Sequence, residues 1–233
     1  MGDRIFKMAV TSLRPKKLSW GYNYNESHWL RLSEILKNEI VTKKPTDVYT
    51  GMALGGDTVF ALTCIELKNS GFPLRIHAAI PCSKQYGRWV KEAQDLYFKI
   101  LSNMDEIVGM SETKGIQNIR LFSHKDLVGN NVYDLVKSDA INANAKSIML
   151  TEDMLYEQSY KGYLMQKRNE YMVDNINELI AVWDGQSGGT ANCVNYAKKK
   201  GIAITQIDPN NIWDEETYIL FIYGYFRQRK RNN

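Results

Sequence analysis

The glycine-rich segment at residues 183–190 constrains the fold of this chain more than any other feature. An apolar run at residues 179–183 leads into it, and a helical pattern through Val194, Tyr196 and Ala197 follows. A short strand that feeds a glycine turn and then a helix leaves backbone N–H groups free at the helix N-terminus, where an anion can bind without a lysine. The turn is therefore predicted to bind a phosphate.

A second turn of the same kind lies upstream, at residues 50–57. It follows a strand-like run at residues 47–49 and precedes a helical run at residues 58–69. Taken alone, either turn is as well explained by an ordinary tight turn, for which glycine is the usual residue. Two such turns in one α/β chain favour a nucleotide held at two points.

Apolar runs of strand length alternate with amphipathic helical patterns along most of the chain. One helical pattern, residues 88–103, is expected to bury Val90, Ala93, Tyr97 and Ile100. Repeated β-then-α units predict an α/β fold with a Rossmann-like, mostly parallel sheet and helices on both faces, because parallel strands need long crossovers. The strand-like runs are residues 5–10, 48–50, 74–80, 106–110, 179–183 and 202–207.

The length of 233 residues fits one large domain with elaborations. We expect a nucleotide-binding domain over residues 1–207, with an insertion or lid at about residues 111–166, where periodicity is weak. A helix at residues 132–143 and a strand at 147–151 are predicted within that insertion. Residues 208–233 are predicted to form a C-terminal helical extension whose apolar side docks on the core or on another subunit, so a homo-oligomer is expected.

Composition excludes several classes of protein. The net charge of only +4 does not call for a nucleic-acid partner, although the tail at residues 227–231 is basic. Three widely spaced cysteines predict reduced thiols in a cytoplasmic protein. No spacing of metal ligands occurs, and neither a metal nor a cofactor is expected. The longest apolar run, residues 218–226, is far shorter than the roughly 20 residues that span a bilayer, so no membrane association is expected.

Five sequence blocks, in order along residues 9–201, resemble the YpsA-like proteins of the SLOG superfamily, which also contains the DprA/Smf proteins and the LOG-type nucleosidases. Residues 9–18 with Gly21-Tyr22-Asn23 are similar to an opening TGHRPxKLGGYN pattern, and residues 50–57 resemble an SGMALGxD turn. The remaining blocks are Ile80-Pro81 with Gln85 and Trp89, residues 168–174, and Asp184-Gly185 with residues 187–190.

The resemblance implies a nucleotide-derived ligand at the carboxyl ends of the strands. Some relatives cleave nucleoside monophosphates at the glycosidic bond. Others sense NAD-derived signals, such as cyclic ADP-ribose variants, in antiviral systems. The family also occurs in phages, in which case the cytoplasm would be that of the host. The predicted ligand is thus a small molecule of the ADP-ribose or cyclic ADP-ribose type, bound by a sensor or, in a virus, by a sponge that counters host defence.

One departure from the family pattern bears on catalysis. The cleaving relatives carry PGGxGTxxE, whose glutamate assists the reaction. Aligning Gly189-Thr190 with the GT of that motif puts Cys193 at the glutamate position, and no proline precedes the glycines. A thiol is a poor substitute for a carboxylate that stabilises an oxocarbenium-like centre or activates water. Binding without turnover is therefore favoured over the alternative, an N-glycosidase of the LOG type.

The candidate ligand-binding residues come from the two turns, the strand ends and the resemblance. Arg14 follows a strand end, where a guanidinium can clamp a phosphate. Asp57 also suits the first turn of a helix, Asp184 either receives ribose hydroxyls or caps its turn, and Trp89 either stacks on a base or lies in the core. No catalytic residue is assigned. The full set is Ser12, Arg14, Gly51, Leu54, Gly55, Gly56, Asp57, Gln85, Trp89, Arg168, Asn169, Asp184, Gly185, Ser187, Gly188, Gly189 and Thr190.

Overall fold

A computed structural model describes residues 5–82, 85–110, 118–123 and 162–213. These ranges contain strands and helices that alternate through most of the chain. In chain order they are β1 (Lys7–Ser12), α1 (Ser27–Lys43), β2 (Asp47–Thr50), α2 (Gly56–Asn69), β3 (Arg75–Ile80), α3 (Lys91–Leu101), β4 (Glu106–Met110), β5 (Asn118–Ser123), α4 (Gly162–Asp174), β6 (Glu178–Val182), α5 (Gly189–Lys199) and β7 (Ala203–Ile207). Two short 3-10 helices, Pro15–Lys17 and Pro209–Asn211, follow β1 and β7.

The strands in the described ranges form one seven-stranded sheet in the order β5-β4-β3-β2-β1-β6-β7. Every neighbouring pair is parallel except β4 and β5, which are antiparallel. From β1 the chain moves outward in one direction to β4, and later it resumes on the other side of β1 with β6 and β7. The predicted α/β fold with a mostly parallel sheet is confirmed, and the reversal of strand order falls beside β1.

Both faces of the sheet are buried under helices. Because successive side chains of a strand point to opposite faces, Met8 and Val10 pack in a core with residues of α1, α2 and α3, whereas Ala9 packs in a second core with residues of α4 and α5. The apolar stripe of α1 is fully buried in the first of these cores, and its members are Trp29, Leu32, Leu36 and Ile40. None of the helices in the described ranges has the length and apolar character of a membrane span.

The structure departs from the sequence predictions at three places. Helix α3 begins three residues later than expected, so Val90 is an N-cap in extended conformation whose side chain is 69% exposed, and its predicted burial is wrong. Residues 118–123 of the predicted insertion form β5 and belong to the sheet, and α4 begins at Gly162, also within that segment. The helix predicted at 132–143, the strand at 147–151 and most of the C-terminal extension lie outside the described residues.

A charged cluster ties together the amino-terminal ends of three neighbouring strands. His77 Nε2 lies 2.8 Å from Asp47 Oδ1, and His77 Nδ1 lies 3.0 Å from Glu106 Oε2. The ring also stacks on Tyr49, with centroids 4.5 Å apart. Burial alone would raise the pKa of Asp47, but the hydrogen bonds from His77 and Thr46 outweigh it and hold that pKa below its ordinary value. The cluster lies at the edge opposite the carboxyl ends of the strands.

Candidate ligand-binding site

A cavity of about 240 Å³ lies at the carboxyl end of β1, where the strand order of the sheet reverses. Its described walls come from the end of β1 and the residues after it, from the start of α2, from α4, and from the start of α5. Open α/β sheets bind their ligands in this crevice, because the loops on either side diverge there. The described lining residues are Thr11, Ser12, Leu13, Arg14, Lys17, Ala53, Asp57, Met165, Arg168, Asn169, Met172, Gly188, Gly189 and Thr190.

The N-terminus of α5 opens into this cavity. Gly188 is its N-cap, with φ 147° and ψ −166°, a backbone conformation that only glycine adopts without strain. No acceptor among the described residues contacts the backbone N–H groups of Gly189 and Thr190. The first N–H groups of a helix have no partner within the helix, and together with the helix dipole they attract an anion. The predicted phosphate position therefore has free donors.

The turn before α2 differs, because its donors already have acceptors. The Gly55 N–H donates to Tyr24 Oη at 2.8 Å, and the Gly56 N–H donates to Ser12 Oγ at 3.1 Å. Gly55 has φ 107°, and a Cβ there would lie 2.9 Å from the Leu13 carbonyl oxygen. The sequence predicts that the two turns hold one nucleotide at two points. In the structure, the amides of this turn are already hydrogen-bonded, and the turn forms a fixed wall beside the N-terminus of α5.

Among the described residues, three cationic side chains and one carboxylate line the cavity. Arg14 follows β1, Arg168 lies on α4, and Lys17 ends the 3-10 helix Pro15–Lys17. Lys17 Nζ donates to the Ser187 carbonyl at 3.1 Å, which places the ammonium beside the start of α5. A cleft with an excess of one charge concentrates ligands of the opposite charge. The cavity is accordingly built to attract anions.

Arg168 joins α4 to the turn before α2. Its side chain is buried, Nη1 donates to the Gly51 carbonyl, and Nε donates to Asn169 Oδ1 at 2.9 Å. The same Gly51 carbonyl accepts from Gln85 Nε2 at 3.0 Å. A Cβ at Gly51 would overlap the Arg168 guanidinium, so the close approach requires glycine. On sequence alone Arg168 could equally pair with Glu170 or Asp174 across the helix surface, but the structure places its guanidinium inward.

Asp57 supplies the carboxylate of the cavity. It lies in the first turn of α2, is only 3% exposed, and accepts from the Ala53 N–H at 3.4 Å. Burial raises the pKa of Asp57 above its ordinary value, although Arg168 and Arg14 act in the opposite direction. A buried carboxyl whose pKa is raised and which feels the charge of two arginines is the kind of group that takes part in binding or proton transfer.

Cys193 lies behind the cavity and does not line it. Its side chain is fully buried in the second turn of α5, and burial raises the pKa of its thiol to about 11, against the opposing effects of Arg168 and Thr11. The thiol is therefore protonated at neutral pH and out of reach of a ligand. Within the described ranges, no group of histidine, cysteine and acidic side chains could hold a metal ion.

The structure brings part of the predicted set together. Eight of its members line the cavity: Ser12, Arg14, Asp57, Arg168, Asn169, Gly188, Gly189 and Thr190. The others lie outside the lining: Gly51, Leu54, Gly55, Gly56, Gln85, Trp89, Asp184, Gly185 and Ser187. Of these, Asp184 accepts from the Gln186 N–H at 3.0 Å and caps its own turn. Trp89 packs edge-on against Tyr97, with ring centroids 5.4 Å apart.

Six lining residues did not appear in the predicted set: Thr11, Leu13, Lys17, Ala53, Met165 and Met172. Most are apolar or small and carry no chemical signal in the sequence. Lys17 had one available signal, since the proline at position 15 favours a tight turn directly after a strand. That turn places Lys17 over the carboxyl ends of the strands.

Fold and cavity together define a doubly wound α/β protein with an anion-attracting crevice at its switch point. No protein-family model matches the chain. The chain is similar to the uncharacterized SPbeta prophage-derived protein YoqJ of Bacillus subtilis (strain 168), with 28% identity over 163 residues, or 69% of this chain and 75% of YoqJ. Among solved structures it is similar to DNA processing protein A (DprA) of Streptococcus pneumoniae, with TM-score 0.49 and 12% identity over 88% of this chain. This chain spans 50% of the length of that DprA chain.

Proposed function

We propose that the protein binds a phosphate-bearing, nucleotide-derived ligand of the ADP-ribose or cyclic ADP-ribose type and leaves it chemically intact. The observation that carries the proposal is the open N-terminus of α5. Its free N–H groups at Gly189 and Thr190 share a cavity with Lys17, Arg14 and Arg168. Helix donors fix the position of a phosphate, and arginines can bind further phosphate oxygens with paired hydrogen bonds.

The size of the cavity decides which part of such a ligand it encloses. Pockets that bury a whole drug-sized ligand measure about 300 to 1,000 Å³, and this one measures about 240 Å³. It therefore accommodates a phosphate with its adjoining sugar. The base of the ligand would extend toward the mouth of the crevice.

The absence of turnover is proposed from Cys193. Cleavage of a glycosidic bond ordinarily uses a pair of carboxyl groups, one as acid and one as nucleophile or base. The position that carries glutamate in the cleaving relatives is a buried thiol here. The second candidate function, an N-glycosidase of the LOG type, is favoured by one observation, the carboxyl of Asp57 within the cavity.

A role in signalling follows from the proposed ligand. The similarity to a prophage-derived protein supports a phage context, and the sequence blocks support membership of the SLOG superfamily, with the YpsA-like proteins as the proposed subfamily. In that context the protein acts in the host cytoplasm as a sponge that removes a nucleotide signal of antiviral defence. In a cellular context the same binding makes it a sensor. Assembly into a homo-oligomer is part of this proposal.

Incubation with ADP-ribose, cyclic ADP-ribose, NAD and nucleoside monophosphates, followed by chromatography, tests the proposal. The expected result is saturable binding by calorimetry and recovery of the unchanged ligand after heat denaturation of the complex. Products that accumulate over many turnovers, and that vanish in Asp57→Asn, would establish the N-glycosidase instead. No binding of any phosphate-bearing compound would exclude both functions.

Lys17→Ala is expected to weaken the binding of the phosphate-bearing ligand about tenfold, the effect of losing one charge-assisted hydrogen bond of about 1.5 kcal/mol. Lys16→Ala provides a matched control, because Lys16 is the exposed neighbour that does not line the cavity. Calorimetry at two salt concentrations would measure both variants. The Lys17 variant should also lose part of its salt dependence, and equal affinities in the two variants would remove Lys17 from the site.

A further inference from the structure

We infer that Asp57 selects ribose, by accepting a hydrogen bond from a sugar hydroxyl of a ligand whose phosphate lies at the N-terminus of α5. This inference rests on the proposed function and deepens it, since it names the sugar as the part of the ligand that the protein recognises. It concerns a position that the sequence pattern explains better as a first-turn residue of a helix than as a ligand contact.

Ser12 fixes the distance between the carboxylate and the phosphate position. Its Oγ accepts from the Gly56 N–H at 3.1 Å, and its carbonyl accepts from Thr190 Oγ1 at 2.9 Å. The starts of α2 and α5 are thus bound to one residue at the end of β1. Asp57 directly follows Gly56 and Gly189 directly precedes Thr190, so both residues line one small cavity from two walls.

Charge assigns different groups of the ligand to the two walls. A phosphate near Asp57 would be repelled, and Lys17 with the α5 N–H groups draws it to the other wall. An ionised carboxylate only accepts hydrogen bonds. The backbone N–H groups of Ala53, at a long 3.4 Å, and of Gly51 donate to Asp57. A carboxylate has about four acceptor positions, so two such donors leave acceptor capacity. The neutral donor that a nucleotide carries next to its phosphate is a ribose hydroxyl.

The competing explanation is that Asp57 only balances the charges of Arg14 and Arg168. The two explanations differ in what they predict for a sugar that lacks a hydroxyl. A buried acceptor left without its donor carries a desolvation penalty, so a site built for a hydroxyl discriminates strongly against the deoxy compound. A charge-balancing carboxylate would not distinguish the two sugars.

The experiment compares inorganic phosphate, ribose 5-phosphate and its 2-deoxy and 3-deoxy analogues by calorimetry or competition. Wild-type protein is expected to bind ribose 5-phosphate about tenfold more tightly than at least one deoxy analogue, the usual effect of one charge-assisted hydrogen bond. Asp57→Asn should reduce that ratio below about threefold, while its affinity for inorganic phosphate stays the same or rises because a nearby negative charge is gone.

Lys17→Ala is the matched control, because it should weaken all the phosphate compounds alike and leave the ratio unchanged. Should Asp57→Asn fail to fold, a wild-type protein that binds ribose 5-phosphate no more tightly than its deoxy analogues would still overturn the inference. Phosphate binding with no preference for ribose, or a preference that survives Asp57→Asn, would overturn this inference alone. Failure of every phosphate compound to bind would overturn the proposed function with it.

Discussion

Gly189→Asp is expected to abolish binding of the phosphate-bearing ligand while leaving the fold at least as stable. A Cβ at Gly189 meets no atom within 4 Å, so the new side chain has room. An acidic residue in the first turn of a helix gains roughly 0.3 to 1 kcal/mol from the helix dipole. The same carboxylate would occupy the phosphate position, where repulsion between two charges about 4 Å apart is on the order of 4 kcal/mol. Affinity should fall at least about 100-fold.

Gly189→Asn is the control for this prediction, since it has the same shape without the charge and should retain most of the affinity. Gly188 and Gly55 are poorer positions for the test, because their φ angles of 147° and 107° disfavour any side chain. Calorimetry and thermal unfolding of the two Gly189 variants give the binding and stability readings. Equal affinity in the Asp and Asn variants would show that no anion binds at the start of α5.

His77→Leu is expected to lower the free energy of unfolding by about 1 to 3 kcal/mol, the usual cost of leaving buried polar groups without a hydrogen-bond partner. Asp47 and Glu106 would then each lose their hydrogen bond to the His77 ring. Chemical denaturation at pH 7 measures the change. Arg75→Ala is the control, because this exposed arginine lies 3.8 Å from the same Asp47 and should change stability by less than about 1 kcal/mol.

The pKa of Asp47 predicts how the stability difference between wild type and His77→Leu changes with pH. The folded-state pKa of Asp47 lies below its ordinary 3.8, so its stabilising contribution is complete above pH 3.8 and is lost as the pH falls through the folded-state value. The difference in stability between wild type and His77→Leu should therefore narrow in that acidic range. A constant difference down to pH 2 would mean that the cluster contributes packing rather than charge.

The parts of the fold that sequence reasoning could predict are those that local pattern decides. Alternating apolar runs and helical stripes predict the parallel sheet, because their periods of 2 and 3.6 residues can be recognised within a single strand or helix. The burial of Val90 failed for a local reason, since the helix begins one residue after it. Residues 118–123 were missed as a strand, because an edge strand needs little apolar patterning.

The candidate site depends on contacts between residues far apart in the chain, and these leave little trace in the sequence. The glycines before α2 and α5 look alike as a pattern. They differ because Tyr24 and Ser12, which lie 31 and 44 residues before the amides they accept from, occupy the donors of the first turn. Met165 lines the cavity only because α4 packs across the sheet. Sequence could locate both turns and could not determine which one stays open.

The hydrogen bonds that hold the turn before α2 affect the energetics of ligand binding. With that wall held by its own hydrogen bonds, binding does not require the backbone there to become ordered. Gly189 at the start of α5 is exposed, and a phosphate bound there would take the place of the water molecules that solvate its amide. Exchange of ordered water for phosphate oxygens keeps the hydrogen bonding nearly constant and releases solvent. Binding would then draw its free energy largely from the freed water and the paired charges, with little change in the shape of the protein.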